Sequence, residues 1–278
     1  MNLTKFGIWT TYRNLGRENA PEAARLAEEL GFGAVWLGGS PSPDDLRPML
    51  AATERLATAT GIVNIWVTPP DTVALEAAAL ERDFPDRSLI GIGAGHPEAT
   101  SDYTHPLRST VRYLDSLDAA PEPLAAERRA LAALGPKMLD LSGERSLGTH
   151  PYFVSVDHTS FARERLGSGP LVAPELACVL DTDTERARAT ARQYAQTYLG
   201  LSNYTNNLLR FGFTERDLAD GGSDRLIDAV IPHGDAEAIA DAVRGHLEAG
   251  ADHVCVQTLG VAGVPREEWT ALAGALGL

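Results

Sequence analysis

Short apolar runs alternate with amphipathic stretches along most of the chain. Phe6–Trp9, Ala34–Leu37, Ile62–Val67 and Leu89–Ile92 are the apolar runs of its first third. Between them, residues 21–30, 46–59 and 72–84 space their apolar positions at three and four, which predicts helices. Pro21 stands in the first turn of the first helix and Gly31 just past its end. The same grammar closes the chain, with a helix over 236–249 and a strand over 253–257. Such alternation predicts a parallel sheet covered by helices. Periodicity fits an eight-stranded barrel and a doubly wound sheet equally.

The middle of the chain is less regular. It reads as a loop, a helix over 107–117 and a turn at Pro121-Glu122-Pro123. Arg129–Leu134 reads as a strand despite its alanines, and Pro136–Leu141 as a helix. Phe153–Val156 and Leu176–Leu180 read as strands on either side of a helix over 159–166. Helices follow over 184–199 and 203–213, the second expected to cap one end. No linker rich in Gly, Ser or charge divides the chain, so residues 1–278 are expected to form one domain.

Composition narrows the partners. A formal net charge of −14 does not suit a nucleic-acid backbone or an anionic membrane surface. No apolar stretch is long enough to span a bilayer, and Met1–Ile8 does not read as a signal peptide, so a cytoplasmic protein is expected. Cys178 and Cys255 each sit in an apolar run and are expected to be buried free thiols.

In parallel α/β folds the site lies at the carboxyl ends of the strands. The residues there are Trp9, Thr11, Gly39, Ser40, Trp66, Gly93–Pro97, Gly135–Lys137, Gly148–Pro151 and Gln257. The set is rich in glycine, aromatic rings and hydroxyls and poor in carboxylates. Glycine lets backbone approach a flat ligand closely, and Gly135-Pro136-Lys137 combines free helix-start amides with a cation, as phosphate binding requires. His96 and His150 lack a third ligand, so no metal site is expected. Gly91-Ile92-Gly93-Ala94-Gly95 departs from a dinucleotide loop because residue 96 is His. No carboxylate pair and no nucleophilic serine elbow occur at the strand ends. Each candidate has a plainer role open to it. His96 and His150, each before a proline, fit turns; Trp66 fits barrel wall, Ser40 a helix cap and Lys137 a solvated charge.

The stretches Glu29–Ser40, Thr60–Trp66, Leu89–Pro97, Ala132–Leu139, Gly148–Tyr152 and Ala249–Gln257 resemble the luciferase-like monooxygenase superfamily. Within it, they are similar to the branch that uses the deazaflavin coenzyme F-420. The resemblance covers nearly the whole chain and implies a (β/α)8 TIM barrel, hydride transfer with a small organic substrate, and a homodimer. It implies a bulge in the third strand, with a cis peptide at Asn64-Ile65, against the ring. Gly39, Ser40, Asn64, Ile65, Trp66, Ala94, Gly95 and His96 would surround that ring. Leu134, Gly135, Pro136, Lys137 and Met138 would hold the phosphate-bearing tail, and Trp9, Thr11 and His150 would face the substrate. The sugar-phosphate dehydrogenases of this branch carry an Asp-His pair after strand two and a Glu after strand four. Here Gly39-Ser40 and His96 stand there, so that activity is not implied. His96 becomes the expected general acid, its intrinsic pKa lying near neutrality, with Ser40 orienting substrate or ring. Two alternatives are an FMN-dependent monooxygenase of the same superfamily and a non-catalytic relative that binds a deazaflavin or a partner chain.

Overall fold

The computed structural model of the protein describes residues 1–96, 98 and 103–278. Its strands are β1 Phe6–Thr11, β2 Ala34–Gly38, β3 Ala57–Gly61, β4 Val63–Asn64, β5 Ser88–Gly93, β6 Arg129–Leu131, β7 Gly148–Thr149, β8 Leu171–Val172, β9 Glu175–Leu180, β10 His233–Gly234 and β11 Val254–Thr258. Every pairing is parallel, in the order β10-β9-β11-β1-β2-β3-β5-β6-β7-β8, with β4 beside β5. The two distant members β8 and β9 are consecutive in the chain and form one strand interrupted at Ala173-Pro174. Because β8 bonds to β7 and β9 to β11, the sheet closes on itself. The expected (β/α)8 barrel is therefore the fold.

The helices are α1 Tyr12–Leu15, α2 Ala20–Glu29, α3 Arg47–Ala51, α4 Pro70–Asp83, α5 Pro106–Asp118, α6 Pro136–Arg145, α7 Val156–Leu166, α8 Thr184–Leu199, α9 Ser202–Arg210, α10 Glu215–Leu218, α11 Asp224–Val230, α12 Ala236–Glu248 and α13 Arg266–Leu276. The period-two alternation of each strand sends one set of side chains outward and the other into the barrel. Ile8, Val35, Leu37, Ile90, Ile92, Val254 and Val256 join the helices in the main apolar core. Trp9, Trp36, Ala34, Ala57, Ala59, Ala130, Ala173 and Cys255 make a separate inner cluster. Two indoles fill much of that narrow interior, so the strands facing them carry alanine.

Polar atoms inside the barrel are largely tied down. The Trp36 indole N–H donates to His253 Nε2 at 3.1 Å, and His253 Nδ1 donates to the Thr4 carbonyl at 2.9 Å. Trp36 also stacks face to face on His150. Both cysteines are buried free thiols, as expected.

Four expectations are corrected. The helix over 46–59 and the strand over Ile62–Val67 give way to a short α3 and a third strand that begins at Ala57. The Glu28 carboxylate accepts from the amides of Arg55 and Leu56 at 2.6 and 2.8 Å, holding the chain extended where helix was predicted. Residues 65–67 form a turn. Next, Phe153–Val156 is not a strand: the sixth strand lies at Gly148–Thr149, and Phe153 has a φ of 54°. Finally, the cis peptide lies at Gly61-Ile62 and not at Asn64-Ile65.

Candidate active site

The bulge in the third strand can be read from its register. Thr58 pairs with Ser88, but Val63 pairs with Ile92, so one extra residue lies on the third strand around Ile62. This bulge, together with the loops after β2, β5 and β6, lines a pocket of about 420 Å³ at the carboxyl ends of the strands. The expected residues gathered there are Trp9, Gly39, Ser40, Asn64, Ala94, Gly95, His96, Leu134, Gly135, Met138 and His150. Ile65, Trp66, Pro136 and Lys137 do not line it. Trp66 packs behind the loop after β5, its indole N–H donating to the Ala94 carbonyl at 2.6 Å. Lys137 is exposed. Thr11 lines a second, larger cavity that shares Trp9, Gly39, Ser40, Tyr152 and Tyr198 with the first. Pro97 lies outside the described residues.

Close approach explains the glycines at the floor. A β carbon on Gly38 would lie 2.1 Å from the Trp9 ring, and one on Gly61 would lie 2.7 Å from Trp9 Nε1. The indole therefore lies across both strand tips, where only hydrogen fits. At the sides the reverse holds: β carbons on Gly39 and Gly135 would meet nothing within 4 Å. Both positions border open space.

Ser40 is not a helix cap. Ser42 fills that place, its amide donating to the Asp45 carboxylate at 2.9 Å, and Ser40 lines both cavities. His96 is held by α9. Its Nδ1 lies 2.9 Å from Asn203 Oδ1, which places a proton on Nδ1. The neighbouring Glu98 carboxylate accepts from the Ser202 amide at 3.1 Å, and this bond holds its pKa below the ordinary carboxylate value. So this carboxylate is engaged at the start of α9.

His150 is 1% exposed and stacked on Trp36, with ring centroids 4.0 Å apart. Burial pushes its pKa down to about 4. Nδ1 donates to the Ala173 carbonyl at 2.7 Å, and Nε2 has no partner. Along the pocket wall, which Tyr152 and Tyr198 line, three phenols meet an amide. The Tyr152 and Tyr194 hydroxyls each donate to Gln257 Oε1 at 2.9 Å, and Tyr198 lies 3.2 Å from the Tyr152 hydroxyl. Burial raises Tyr152 and Tyr194 well above the ordinary phenol value. Inside the barrel, burial lifts Glu175 to about 8, with one oxygen accepting from the Phe153 amide at 3.3 Å.

Sequence reading missed Tyr103, Tyr152, Tyr198, Asn203 and Tyr204, all of which line the pocket. A signal existed for one pair. Ala187, Ala191 and Ala195 mark the buried stripe of α8, which puts Tyr194 and Tyr198, four residues apart, side by side along its flank. Nothing local in the sequence points to Asn203 or Tyr204, which arrive on α9 from far along the chain. Among the described residues no cluster of His, Cys, Asp or Glu could hold a metal ion, and no helix is long and apolar enough to cross a membrane.

The chain is similar to several characterised proteins. It is 26% identical over 211 residues to the 5,10-methylenetetrahydromethanopterin reductase of Methanolobus tindarius, a match covering 61% of this chain and 64% of that protein's length. Its fold matches that of an F-420-dependent secondary alcohol dehydrogenase bound to an F-420–acetone adduct, with a TM-score of 0.76 and 16% identity over 99% of this chain and 98% of that one. It also matches the oxygenating constituent of 3,6-diketocamphane monooxygenase of Pseudomonas putida bound to FMN, with a TM-score of 0.68 and 14% identity over 97% of this chain and 96% of that one. The family model for luciferase-like monooxygenases matches residues 3–253, and the chain belongs to that family.

Proposed function

We propose that the protein is an oxidoreductase that uses coenzyme F-420 to move a hydride to or from a small organic molecule. The observation that carries this reading is the shape and chemistry of the pocket. It is floored by a strand bulge, open where Gly39 and Gly135 lack side chains, walled by aromatic rings, and free of Asp, Glu, Lys and Arg among its described lining residues. A flat, neutral, polar-edged ring fits such a slot. The similarity in fold to an F-420-dependent secondary alcohol dehydrogenase and to a coenzyme F-420-dependent tetrahydromethanopterin reductase supports the deazaflavin over a flavin.

On this reading Gly39, Ser40, Ile62, Asn64, Ala94, Gly95 and His96 surround the ring. Leu134, Gly135 and Met138 guide the tail past the start of α6, where the Lys137 amide has no helical partner because the chain has just begun to turn. The bound coenzyme would supply a carbon that donates or accepts hydride. The protein's own part is to hold the reactants and to place protons. His96 is suited to placing a proton, because Asn203 fixes its ring at the edge of the pocket. The Tyr152–Tyr194–Tyr198 cluster, half-buried and hard to ionise, is suited to excluding water. The protein is expected to work as a homodimer, which sedimentation analysis would test.

Titrating the protein with F-420 and with FMN, following the absorbance of each, tests the cofactor. Tight binding of F-420 with weak binding of FMN supports the reading. The reverse supports an FMN monooxygenase, the second reading favoured by the diketocamphane enzyme's fold. Turnover with reduced F-420 across enones, imines and ketones then tests the chemistry. Tight binding with no turnover would point to a non-catalytic relative.

A further inference from the structure

The floor of the pocket holds two buried nitrogens without partners, Trp9 Nε1 and His150 Nε2. Trp9 is 6% exposed and His150 1%. An indole N–H can only donate. His150 Nε2 can only accept, because the ring's proton sits on Nδ1 in its bond to the Ala173 carbonyl. Burial keeps that imidazole neutral across the physiological range. Both nitrogens face the bare α carbon of Gly61: a β carbon there would lie 2.7 Å from Trp9 Nε1 and 3.2 Å from His150 Nε2. A buried donor beside a buried acceptor, each unsatisfied, is costly to keep unless a ligand completes both.

The pair specifies a chemistry. A carboxylate, a phosphate or a phenolate offers only acceptors, and an ammonium only donors. An imide edge offers a carbonyl and an N–H side by side. We propose that Trp9 and His150 bind the pyrimidinedione edge of the ring, Trp9 donating to a carbonyl oxygen and His150 accepting from the adjacent ring N–H. This rests on the reading of the pocket as a ring site. It goes further in saying which end of the ring points into the barrel and which side chains hold it there. Both deazaflavins and flavins carry this edge, so the pair sets orientation and leaves the choice between them to other contacts.

The test compares coenzyme F-420 and FMN with their N3-methyl derivatives on the unaltered protein, by chromophore absorbance and tryptophan fluorescence. Methylation removes the donor that His150 needs and leaves the ring otherwise intact. The expected result is a loss of about tenfold or more in affinity for each methylated ring. Trp9→Phe and His150→Leu are expected to weaken the parent rings, and His150→Leu to shrink the gap between parent and methylated forms. If those variants fail to fold, the comparison on the unaltered protein still decides. Equal binding of parent and methylated rings overturns the proposal while leaving the ring site standing. Binding of neither parent overturns the ring site and the proposal together.

Discussion

Trp36 and His150 stack across the inside of the barrel with their planes 15° apart. The contact joins β2 to the residue after β7, so His150, which lines the pocket, rests on a ring that approaches from the opposite wall. The imidazole that results is buried, neutral and tautomerically fixed. Its three buried counterparts, His158, His246 and His253, are likewise pushed down to about 4 by burial.

Stability should therefore fall on acidification. In the unfolded chain these four histidines take up protons near pH 6.5, whereas the folded protein resists until about pH 4. The unfolded state binds more protons throughout that window, so unfolding becomes easier as pH drops through it. Each histidine contributes about 1.4 kcal/mol per pH unit. Thermal midpoints measured between pH 7 and pH 4.5 should decline steeply. A flat profile would contradict the burial of these rings.

Glu175 should act in the opposite direction. Its folded value of about 8 lies far above that of an unfolded carboxyl, so the native state holds a proton that the unfolded chain releases. Stability is lost on this account as pH rises through 4.5 to 8. Glu175→Gln, which imitates the protonated carboxyl, should change little near pH 5 and stabilise the protein at pH 9. Denaturant midpoints at the two values check this, and equal shifts at both would remove the assignment.

Gly135→Val separates folding from binding. Gly135 has a φ of −86°, which any residue adopts, and a β carbon there meets nothing within 4 Å. Thermal stability should stay within about 0.5 kcal/mol of the parent. Affinity for the phosphate-bearing coenzyme should fall at least tenfold, because the new side chain occupies the open side of the slot. Unchanged affinity would take the tail away from this turn.

Gly61→Ala should do the reverse and disturb the fold as well. Its β carbon would force the Trp9 indole aside, at an overpacking cost of about 1–3 kcal/mol. Chemical denaturation and a ring-binding titration on the same sample should both register the change. A variant with parent-like stability would mean that the indole is free to move.

His96→Gln tests proton placement. Turnover should fall by about 10²-fold, the usual contribution of a positioned acid or base, with coenzyme affinity changed far less. Asn203→Leu should give a smaller loss and a shifted pH profile, since it releases the ring without removing it. Equal losses in turnover and affinity for His96→Gln would make it a binding contact alone.

Much of the barrel was readable because outward-facing strand residues are branched and aliphatic and the flanking helices are periodic. β1, β2, β5 and β11 declared themselves in this way. β3 did not, for a reason located on another strand. With Trp36 reaching into the barrel, Ala57 and Ala59 are what fits opposite it, and an Ala-Thr-Ala-Thr run following a short helix looks like more helix. The site divides similarly. Loop residues that directly follow strands, such as Gly39, Ala94, His96 and Gly135, could be located from the strand pattern. Tyr198, Asn203 and Tyr204 reach the same pocket only through the packing of α8 and α9, which no local spacing encodes.

The seam at Ala173-Pro174 has a chemical consequence. The chain changes neighbours there, leaving one wall of the barrel for the other, and the Ala173 carbonyl is turned to the imidazole of His150. The joint that shuts the cylinder thus also decides which nitrogen of a distant ring keeps its hydrogen. A substitution that straightened this joint would be felt first as a misplaced proton under the pocket, before any loss of shape.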